Sequence, residues 1–173
     1  MTTVATTNPQ EAKAAPNPQE AKVAENPQDA FAALSKAAER GAAPEPHPEL
    51  NGFLLRMSDK TTDPMYLVVN GYRRLVPDDA TSNNLFTNPT ITKEPLLNLI
   101  AKGPDLTKGA MLIKTKGGGD GRWFLLTDQR KMWIVNINVF DRYQFDRNKV
   151  KELDKIVIDS IVEGDNIVGP TPA

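Results

Sequence analysis

The apolar residues of the chain are concentrated in two stretches, residues 52–77 and 109–134, which polar segments separate. In both stretches, apolar runs of about five residues alternate with short polar turns, the spacing of β-strands joined by hairpins. The two stretches also resemble each other. Placing Gly52 on Gly109, an offset of 57 residues without a gap, aligns the identical pairs Leu55/Leu112, Asp63/Asp120 and Arg73/Arg130 and the similar pairs Leu54/Met111, Tyr66/Trp123, Val68/Leu125, Val69/Leu126, Arg74/Lys131 and Leu75/Met132.

The first stretch has a strong hairpin signal. Met65–Val69 is a run of apolar and aromatic residues that suits a partly buried strand. Asn70-Gly71 follows it, and both residues tolerate the positive φ angles of a type I′ turn. The chain is therefore predicted to return as a strand over residues 72–76, and Pro77, which has no backbone donor, ends the pairing. With residues 53–57 as a further strand, the pattern predicts a three-stranded meander.

The second stretch predicts another meander, in which Thr127-Asp128 takes the place of the Asn-Gly turn. Each meander has an apolar face that is too large to leave in water. Two such units stacked on each other would bury both faces, which gives a physical reason for the duplication.

An apolar pattern of helical spacing follows each meander, in residues 95–103 and 156–164. The apolar positions are Leu96, Leu97, Ile100 and Ala101 in the first segment, and Val157, Ile158, Ile161 and Val162 in the second. Thr92 and Asp154 are suitable N-caps, and the glycine that ends each segment stands where a C′ glycine closes a helix. A packing helix is predicted in both places, although the β-branched residues of the second segment also allow a strand.

The first 50 residues differ in composition from the rest of the chain. They are rich in Ala, Pro, Glu, Gln and Lys, and three nine-residue units within them begin with Asn-Pro-Gln. Each unit has the features of a helix start, but the first two have almost no large apolar residues to bury. This composition predicts a disordered or transiently helical arm.

Residues 27–40, by contrast, are predicted to form a helix because Phe31, Leu34 and Ala38 lie on one apolar stripe. Three open alternatives follow for this helix: it packs on its own domain, stays solvated, or engages a partner through Phe31 and Leu34. Residues 42–48 contain three prolines and are predicted to be a stiff linker.

These patterns predict an α+β fold that is rich in β-structure. Two tandem meander-plus-helix repeats pack into one domain behind an arm with one short helix. The predicted boundaries are residues 1–50 for the arm and linker, 51–107 for the first repeat, 108–168 for the second repeat and 169–173 for a tail.

The repeat resembles a tandem repeat of bacterial proteins. The first copy contains the run Met65-Tyr-Leu-Val-Val-Asn-Gly-Tyr-Arg-Arg-Leu-Val-Pro77, then Thr81 and Phe86, then Leu97-x-x-Ile100-x-x-Gly103-Pro-x-Leu106. This is similar to the approximate consensus VYLIENGxRRxIPxPxTFxxxGF … VLxxIPxGxPL … GxLLRG. The resemblance covers about residues 52–167, and the second copy lacks both the Asn-Gly turn and the proline. The resemblance implies an accessory module of surface-associated or secreted bacterial proteins. It supports a repeat architecture more than it supports any particular activity.

Composition excludes several classes of function. The chain has 21 Lys plus Arg and 22 Asp plus Glu, a net charge of −1, which argues against nucleic acid as a partner. It has no cysteine, so disulfides, iron–sulfur clusters and Cys-ligated zinc are excluded. No apolar run approaches the roughly 20 residues of a membrane span, and no Sec-type signal peptide is visible. The sequence therefore predicts no membrane span, no cofactor, and a protein that stays in the cytoplasm or leaves by a non-Sec route.

Few residues are candidates for catalysis or metal binding. The single histidine, His47, lies in the proline linker and is predicted to have no function there. Carboxylate catalysis would have to use Asp63, Asp78, Asp79, Asp120 or Asp141, which all lie in turn-like contexts. Asp78-Asp79 and Asn83-Asn84 are rich in oxygen but lack the spacing of an EF-hand loop, so no metal site is predicted.

The candidate binding residues are the basic pairs that recur in both repeats, together with nearby aromatic, acidic and amide side chains: Tyr72, Arg73, Arg74, Asp78, Asn83, Asn84, Arg130, Lys131, Trp133, Asn136 and Asp141. Aromatic rings beside such polar groups are typical of carbohydrate sites, and they are also typical of a small core, which we expect for Trp123. The sequence favours a non-enzymatic module for glycan or cell-envelope recognition, with two weak sites per chain. The alternatives are an accessory subunit of a bacterial assembly that docks through its arm, and a carboxylate-based hydrolase.

Overall fold

The computed structural model describes residues 27–171, with side chains from residue 31. The predicted arm over residues 1–26 and the last two residues of the predicted tail lie outside the described residues. Helices span α1 Pro27–Glu39, α2 Asp79–Leu85, α3 Ile137–Arg142 and α4 Lys155–Ser160. Strands span β1 Leu54–Arg56, β2 Met65–Val69, β3 Tyr72–Val76, β4 Ile91–Lys93, β5 Met111–Thr115, β6 Trp123–Thr127, β7 Arg130–Ile134, β8 Lys151–Leu153 and β9 Val162–Glu163.

The strands form two sheets that share an arrangement of four strands, to which the second sheet adds β9 beside β7. The first sheet has the order β3-β2-β1-β4 and the second has the order β8-β5-β6-β7-β9. In each, three antiparallel strands form a meander, and a later strand pairs parallel to the first strand of that meander. The predicted α+β fold with two tandem meander-plus-helix units is thus confirmed.

The register between the two units differs from the predicted one by a residue. Leu54 pairs with Leu67 in the first sheet, and Leu112 pairs with Leu125 in the second. The structural offset is therefore 58 residues (Leu54 to Leu112), and the predicted offset of 57 is wrong. The extra residue lies between Gly109 and β5. Successive side chains of a strand point to opposite faces of the sheet. Residues compared at an offset of 57 therefore lie on opposite faces of their sheets, whereas residues compared at an offset of 58 lie on the same face.

The hairpin turns follow the corrected register. Asn70 and Gly71 have φ angles of 53° and 84°, as a type I′ turn requires. The equivalent turn is Asp128-Gln129, with φ angles of 49° and 55°, and not the predicted Thr127-Asp128. Thr127 is still part of β6.

Neighbouring segments hold the first turn in place. The Asn70 side chain donates to the Asn166 carbonyl at 2.7 Å and accepts from the Val168 amide at 3.3 Å. The Gly71 amide donates to Asn51 Oδ1 at 2.7 Å. This hairpin end is therefore packed against the C-terminal part of the second unit.

The segments after the meanders differ in part from the predicted helices. In the first unit, Thr92 lies in β4 and is not an N-cap, and only a single 3-10 turn, Leu97–Leu99, follows. In the second unit, Asp154 occupies the predicted N-cap position of α4, although its side chain makes no capping hydrogen bond. The second copy has the longer helix because the offset grows to 61 residues by its end (Ile100 to Ile161).

The glycines that end these segments are not helix caps, contrary to the prediction. The Gly103 amide donates to the Arg73 carbonyl and the Gly164 amide to the Lys131 carbonyl, so each glycine lies beside the last strand of a meander, β3 or β7. A Cβ atom on Gly103 would stand 2.9 Å from the Cβ of Tyr72. Glycine is needed there for the close approach of two backbones.

The main core lies between the two sheets and is shared by both units. It combines the inner faces of both meanders with the aromatic side chains that follow α2 and α3. Its largest members are Leu54, Leu67, Leu85, Phe86, Leu112, Leu125, Phe140, Tyr143 and Phe145. Neither unit could bury these apolar side chains alone, which explains why the two pack into one domain.

Helix α1 packs on the outer face of the first sheet. Leu34 and Ala37 are fully buried, and Phe31 packs edge-on against Phe53 with ring centroids 5.1 Å apart. Leu34 joins a second cluster with Leu55, Val68 and Ile100. Of the three alternatives for this helix, the structure has the one in which it packs on its own domain. The buried stripe includes Ala37, and the predicted Ala38 is exposed.

Among residues 27–171, no helix combines the length and apolar character that crossing a bilayer requires.

Candidate functional site

Several predicted binding residues stabilise local structure, and one of them, Asn136, also lines a cleft with Trp133. Asp78 caps α2 by accepting from the Thr81 amide at 2.7 Å, and Asn136 caps α3 by accepting from the Val139 amide at 2.9 Å. Asp141 pairs with Arg147 at 2.6 Å.

Asn83 and Asn84 also make contacts within the fold. The Asn84 side chain donates to the Ala110 carbonyl at 3.3 Å, and the Asn83 carbonyl accepts from Lys149 Nζ at 2.6 Å. Within the described part of the chain, no group of three or more His, Asp or Glu side chains is placed to hold a metal ion.

Arg73 and Lys131 are equivalent in the corrected register and have the same structural role. Arg73 Nε donates to the Ile100 carbonyl at 2.9 Å, and Lys131 Nζ donates to the Ile158 carbonyl at 2.9 Å. Each side chain thus ties the segment after the meander to its sheet. Lys131 is only 5% exposed, which leaves little of it for a ligand.

Arg74 and Arg130 line a cleft of about 340 Å³ between the two units, together with Asp105, Asp128, Glu163 and Asp165. Burial lowers the pKa of Arg74, while the attraction of Asp165 opposes that shift. Arg74 Nε is buried without a hydrogen-bond partner among the described residues. The four acidic side chains that share the cleft with the two arginines make it a poor site for an anion.

Trp133 lines a different cleft, which we call the tryptophan cleft, with a volume of about 330 Å³. It lies where β6 begins, β7 ends and α3 starts. Its lining residues are Asp120, Gly121, Arg122, Trp123, Trp133, Ile134, Val135, Asn136, Ile137 and Phe140. Ile137 is 43% exposed at this position.

The strand register explains how both tryptophans reach this cleft. Trp123 pairs with Ile134, and Trp133 pairs with Phe124, so the two indoles stand on opposite faces of the sheet. Both are half-buried, and the cleft lies at the end of the hairpin, where the two faces meet. Trp123 is held edge-on against Phe140, with ring centroids 4.6 Å apart.

A charged pair forms the polar side of the tryptophan cleft. Arg122 Nη2 lies 2.5 Å from Asp120 Oδ2, and the Arg122 amide donates to Asp120 Oδ1 at 3.0 Å. The hydrogen bonds from Arg122 lower the pKa of Asp120, and the same contact raises the pKa of Arg122. Asp120 is therefore ionised near neutral pH and does not suit the role of a proton donor.

A smaller and more polar cleft of about 170 Å³ adjoins the first one. Arg122 and Trp133 line both clefts, and Phe124, Lys131, Glu163, Gly164 and Asn166 complete the second. The guanidinium carbon of Arg122 lies 5.4 Å from the centroid of the Phe124 ring. Arg122 and Trp133 are thus the two side chains around which a ligand could contact both clefts.

The tryptophan cleft has no counterpart in the first unit. In the corrected register, Met65 is equivalent to Trp123 and Leu75 to Trp133, so the first unit has no aromatic residue at either position. The expectation of two similar sites per chain rested on the basic pairs and the polar and aromatic residues that recur in both repeats, but the corrected register pairs neither tryptophan with an aromatic residue of the first unit. Tyr72 is 39% exposed and lies beside Gly103, away from the tryptophan cleft.

Sequence reasoning found Trp133 and Asn136 but missed three other side chains of the site. Trp123 was expected to be a core residue, and Asp120 and Arg122 were not among the binding candidates. The Asp-x-Arg-Trp order of residues 120–123 is the local signal that could have found them. It places a charged pair directly before the first aromatic residue of a strand.

His47, in the predicted proline linker, was expected to have neither a rigid setting nor partners, and the structure corrects this. It is 3% exposed, and its Nδ1 lies 2.7 Å from Oε1 of Glu49, which is 5% exposed. Its backbone amide donates to the Gly71 carbonyl at 2.8 Å, so the linker is bound to the hairpin turn. Among the described residues, Nε2 of His47 has no hydrogen-bond partner.

Comparisons of the chain with protein-family models, with curated proteins and with solved structures gave no match.

Proposed function

We propose that the protein is a non-enzymatic glycan-binding module and that the tryptophan cleft is its binding site. The observation that carries the proposal is the presence of two half-buried tryptophans and an Asp120–Arg122 pair in one cleft. Sugar rings have apolar C–H faces that pack on aromatic rings and hydroxyl edges that require donors and acceptors. This cleft offers both kinds of contact.

The size of the cleft limits the ligand. Its volume of about 330 Å³ is at the low end of the roughly 300–1,000 Å³ typical of ligand pockets. One or two sugar rings fit this range, and the adjoining cleft of about 170 Å³ extends it past Arg122 and Trp133. With no equivalent aromatic cleft in the first unit, the proposal is one site per chain. Two weak sites acting together are no longer part of it.

The two alternatives from the sequence have less support. Docking of an accessory subunit through Phe31 and Leu34 would require α1 to leave the first sheet, where Leu34 is fully buried. For a carboxylate hydrolase, the two acids would have to face each other across a substrate. Asp63 accepts from Ser58 Oγ at 2.5 Å and does not line the cleft that Asp120 lines. Membership of the bacterial repeat family stays a prediction.

The proposal is tested by screening the full-length protein on an array of bacterial envelope glycans and titrating the best ligand by tryptophan fluorescence. We expect saturable binding of one ligand per chain. Trp133→Ala and Arg122→Ala should each weaken it by about tenfold or more, because each removes about 1.4 kcal/mol or more of contact energy. Tyr72→Ala is the matched control, since it removes an exposed aromatic residue outside the cleft. Absence of binding to every glycan on the array, or binding that Trp133→Ala leaves unchanged, would refute the proposal.

A further inference from the structure

The outer faces of the two sheets are equivalent in structure but differ in what covers them. On the first sheet, α1 covers the pair Phe53 and Val68 together with Ile100. Phe53 is 9% exposed, and Val68 and Ile100 are fully buried. The covering side chains are Phe31 and Leu34, which are three residues apart on α1.

The second sheet has the same set of positions. In the corrected register, the cross-strand pair Met111 and Leu126 is equivalent to Phe53 and Val68. Because Gly164 is equivalent to Gly103, Ile161 is equivalent to Ile100, and Val157 is equivalent to Leu96. We call Met111, Leu126, Val157 and Ile161 the uncovered face.

The uncovered face is more exposed than its counterpart. Met111, Leu126 and Ile161 are only partly buried, and Val157 is 44% exposed. Ile113 and Ile158, at the centre of the same face, are buried like their counterparts Leu55 and Leu97. In the part of the chain that the structure describes, α1 has no equivalent on the second sheet. The difference between the two faces therefore lies at the positions that α1 covers.

We propose that the uncovered face binds an amphipathic helix of a partner chain, in the position that α1 occupies on the first sheet. The residues of the uncovered face have aliphatic or thioether side chains similar in size to those under α1. A helix with apolar side chains along one face, as α1 has, would therefore fit against them. The partner helix would present an aromatic residue and a leucine three positions apart, and a small residue three further on, as Phe31, Leu34 and Ala37 do. The proposal does not rest on glycan binding, although Trp133 of the tryptophan cleft packs against the same apolar cluster as Met111, Leu126 and Ile161.

A peptide with the sequence of α1, residues 27–41, is the probe for this interaction. It is labelled with fluorescein and titrated with the full-length protein while fluorescence anisotropy is measured. We expect saturable one-to-one binding. Replacing both Phe31 and Leu34 of the peptide by alanine should weaken binding by about tenfold or more, because both apolar anchors are lost. Val157→Asp in the protein should weaken binding by a similar factor.

Ile156→Asp is the matched control. Ile156 is 79% exposed and belongs to the same helix as Val157. Its equivalent in the first unit, Pro95, is exposed and is not among the side chains that pack with Phe31 and Leu34, whereas Leu96, the equivalent of Val157, is. The same change from an apolar to an acidic residue should therefore leave peptide binding unchanged. Circular dichroism of both variants shows whether the fold is retained.

Four results would overturn the proposal. The first is absence of peptide binding, and the second is equal binding by the Val157→Asp variant. The third is amide shift changes in β1 and β2 in place of β5 and β6, which would mean that the peptide exchanges with α1. The fourth is concentration-dependent self-association of the protein that Val157→Asp abolishes, which would make a second copy of this chain the occupant.

Discussion

Replacing Leu34 by alanine should release α1 from the first sheet without unfolding the rest of the domain. Leu34 is fully buried between α1 and the sheet. Truncation of a buried leucine costs about 2–5 kcal/mol, and we expect the lower half of this range, about 2–3 kcal/mol, because a terminal helix can settle into part of the cavity. A helix of 13 residues has little stability of its own once its packing is weakened.

Hydrogen exchange measures this effect directly. A loss of about 2–3 kcal/mol increases the open population of α1 by about 30- to 150-fold, and its amide exchange rates should rise by the same factor. Amides of β5, β6 and β7 should keep their protection, since the core between the sheets is untouched. Ser35→Ala changes the neighbouring, exposed residue and should not reduce the protection of α1.

The reasoning would be refuted by either of two results. If α1 exchanges at the wild-type rate in the Leu34→Ala protein, the helix does not depend on this contact. If protection falls equally in α1 and in the second sheet, α1 does not open as a separate unit. The substitution then destabilises the whole domain and does not simply release α1 from the first sheet.

Four further predictions concern stability. His47→Ala should lower the free energy of unfolding by about 3 kcal/mol, because the buried carboxylate of Glu49 loses its partner. Adding Glu49→Gln to that variant should recover part of the lost free energy, as measured by urea unfolding. Asn136→Ala should cost about 1 kcal/mol through loss of a helix cap, measured by the same urea titration. The hydrogen bonds from Thr81 lower the pKa of Asp78 below 3.8, so the ionised carboxylate stabilises the folded state above that pH. The difference in the free energy of unfolding between wild type and Asp78→Ala should therefore shrink as the pH falls through the lowered pKa. Gln129→Gly should raise the melting temperature, because Gln129 has a positive φ of 55° and glycine adopts this angle without strain; the gain in stability is about 0.5–1 kcal/mol. An unchanged or lower melting temperature would contradict this.

The sequence was sufficient to predict the elements that depend on local rules. The Asn70-Gly71 turn, the apolar run before it and Pro77 after it each act within a few residues, and the hairpin they predict is present. The duplication of this pattern, together with the size of the apolar faces, then led to the two-unit fold.

The register was not predictable in the same way. Aligning Gly52 with Gly109 requires no gap. Because most residues of the strands are apolar, apolar residues are paired with apolar residues both in that register and in the next one. Only the pairing of Leu112 with Leu125 reveals the extra residue before β5. This single residue changes the comparison of the two units, because it aligns Trp123 with Met65 and Trp133 with Leu75, so the first unit has no aromatic residue at either position.

Other features depend on contacts between distant parts of the chain. His47 lies in a proline-rich linker, and nothing near it in the sequence indicates that the backbone of Gly71 receives its amide hydrogen bond. Gly103 resembles a helix-ending glycine, yet it is required because Tyr72 lies against it. Local patterns cannot distinguish a glycine that turns the chain from one that lets two backbones touch.

The contacts around the first hairpin turn have a chemical consequence. An asparagine followed by glycine deamidates when the glycine nitrogen attacks the side-chain carbonyl carbon to form a succinimide ring. Here the Gly71 nitrogen is engaged by Asn51, and both ends of the Asn70 carboxamide are bound to residues 166 and 168. The ring cannot close without breaking these bonds, so the folded protein should resist chemical ageing at this dipeptide.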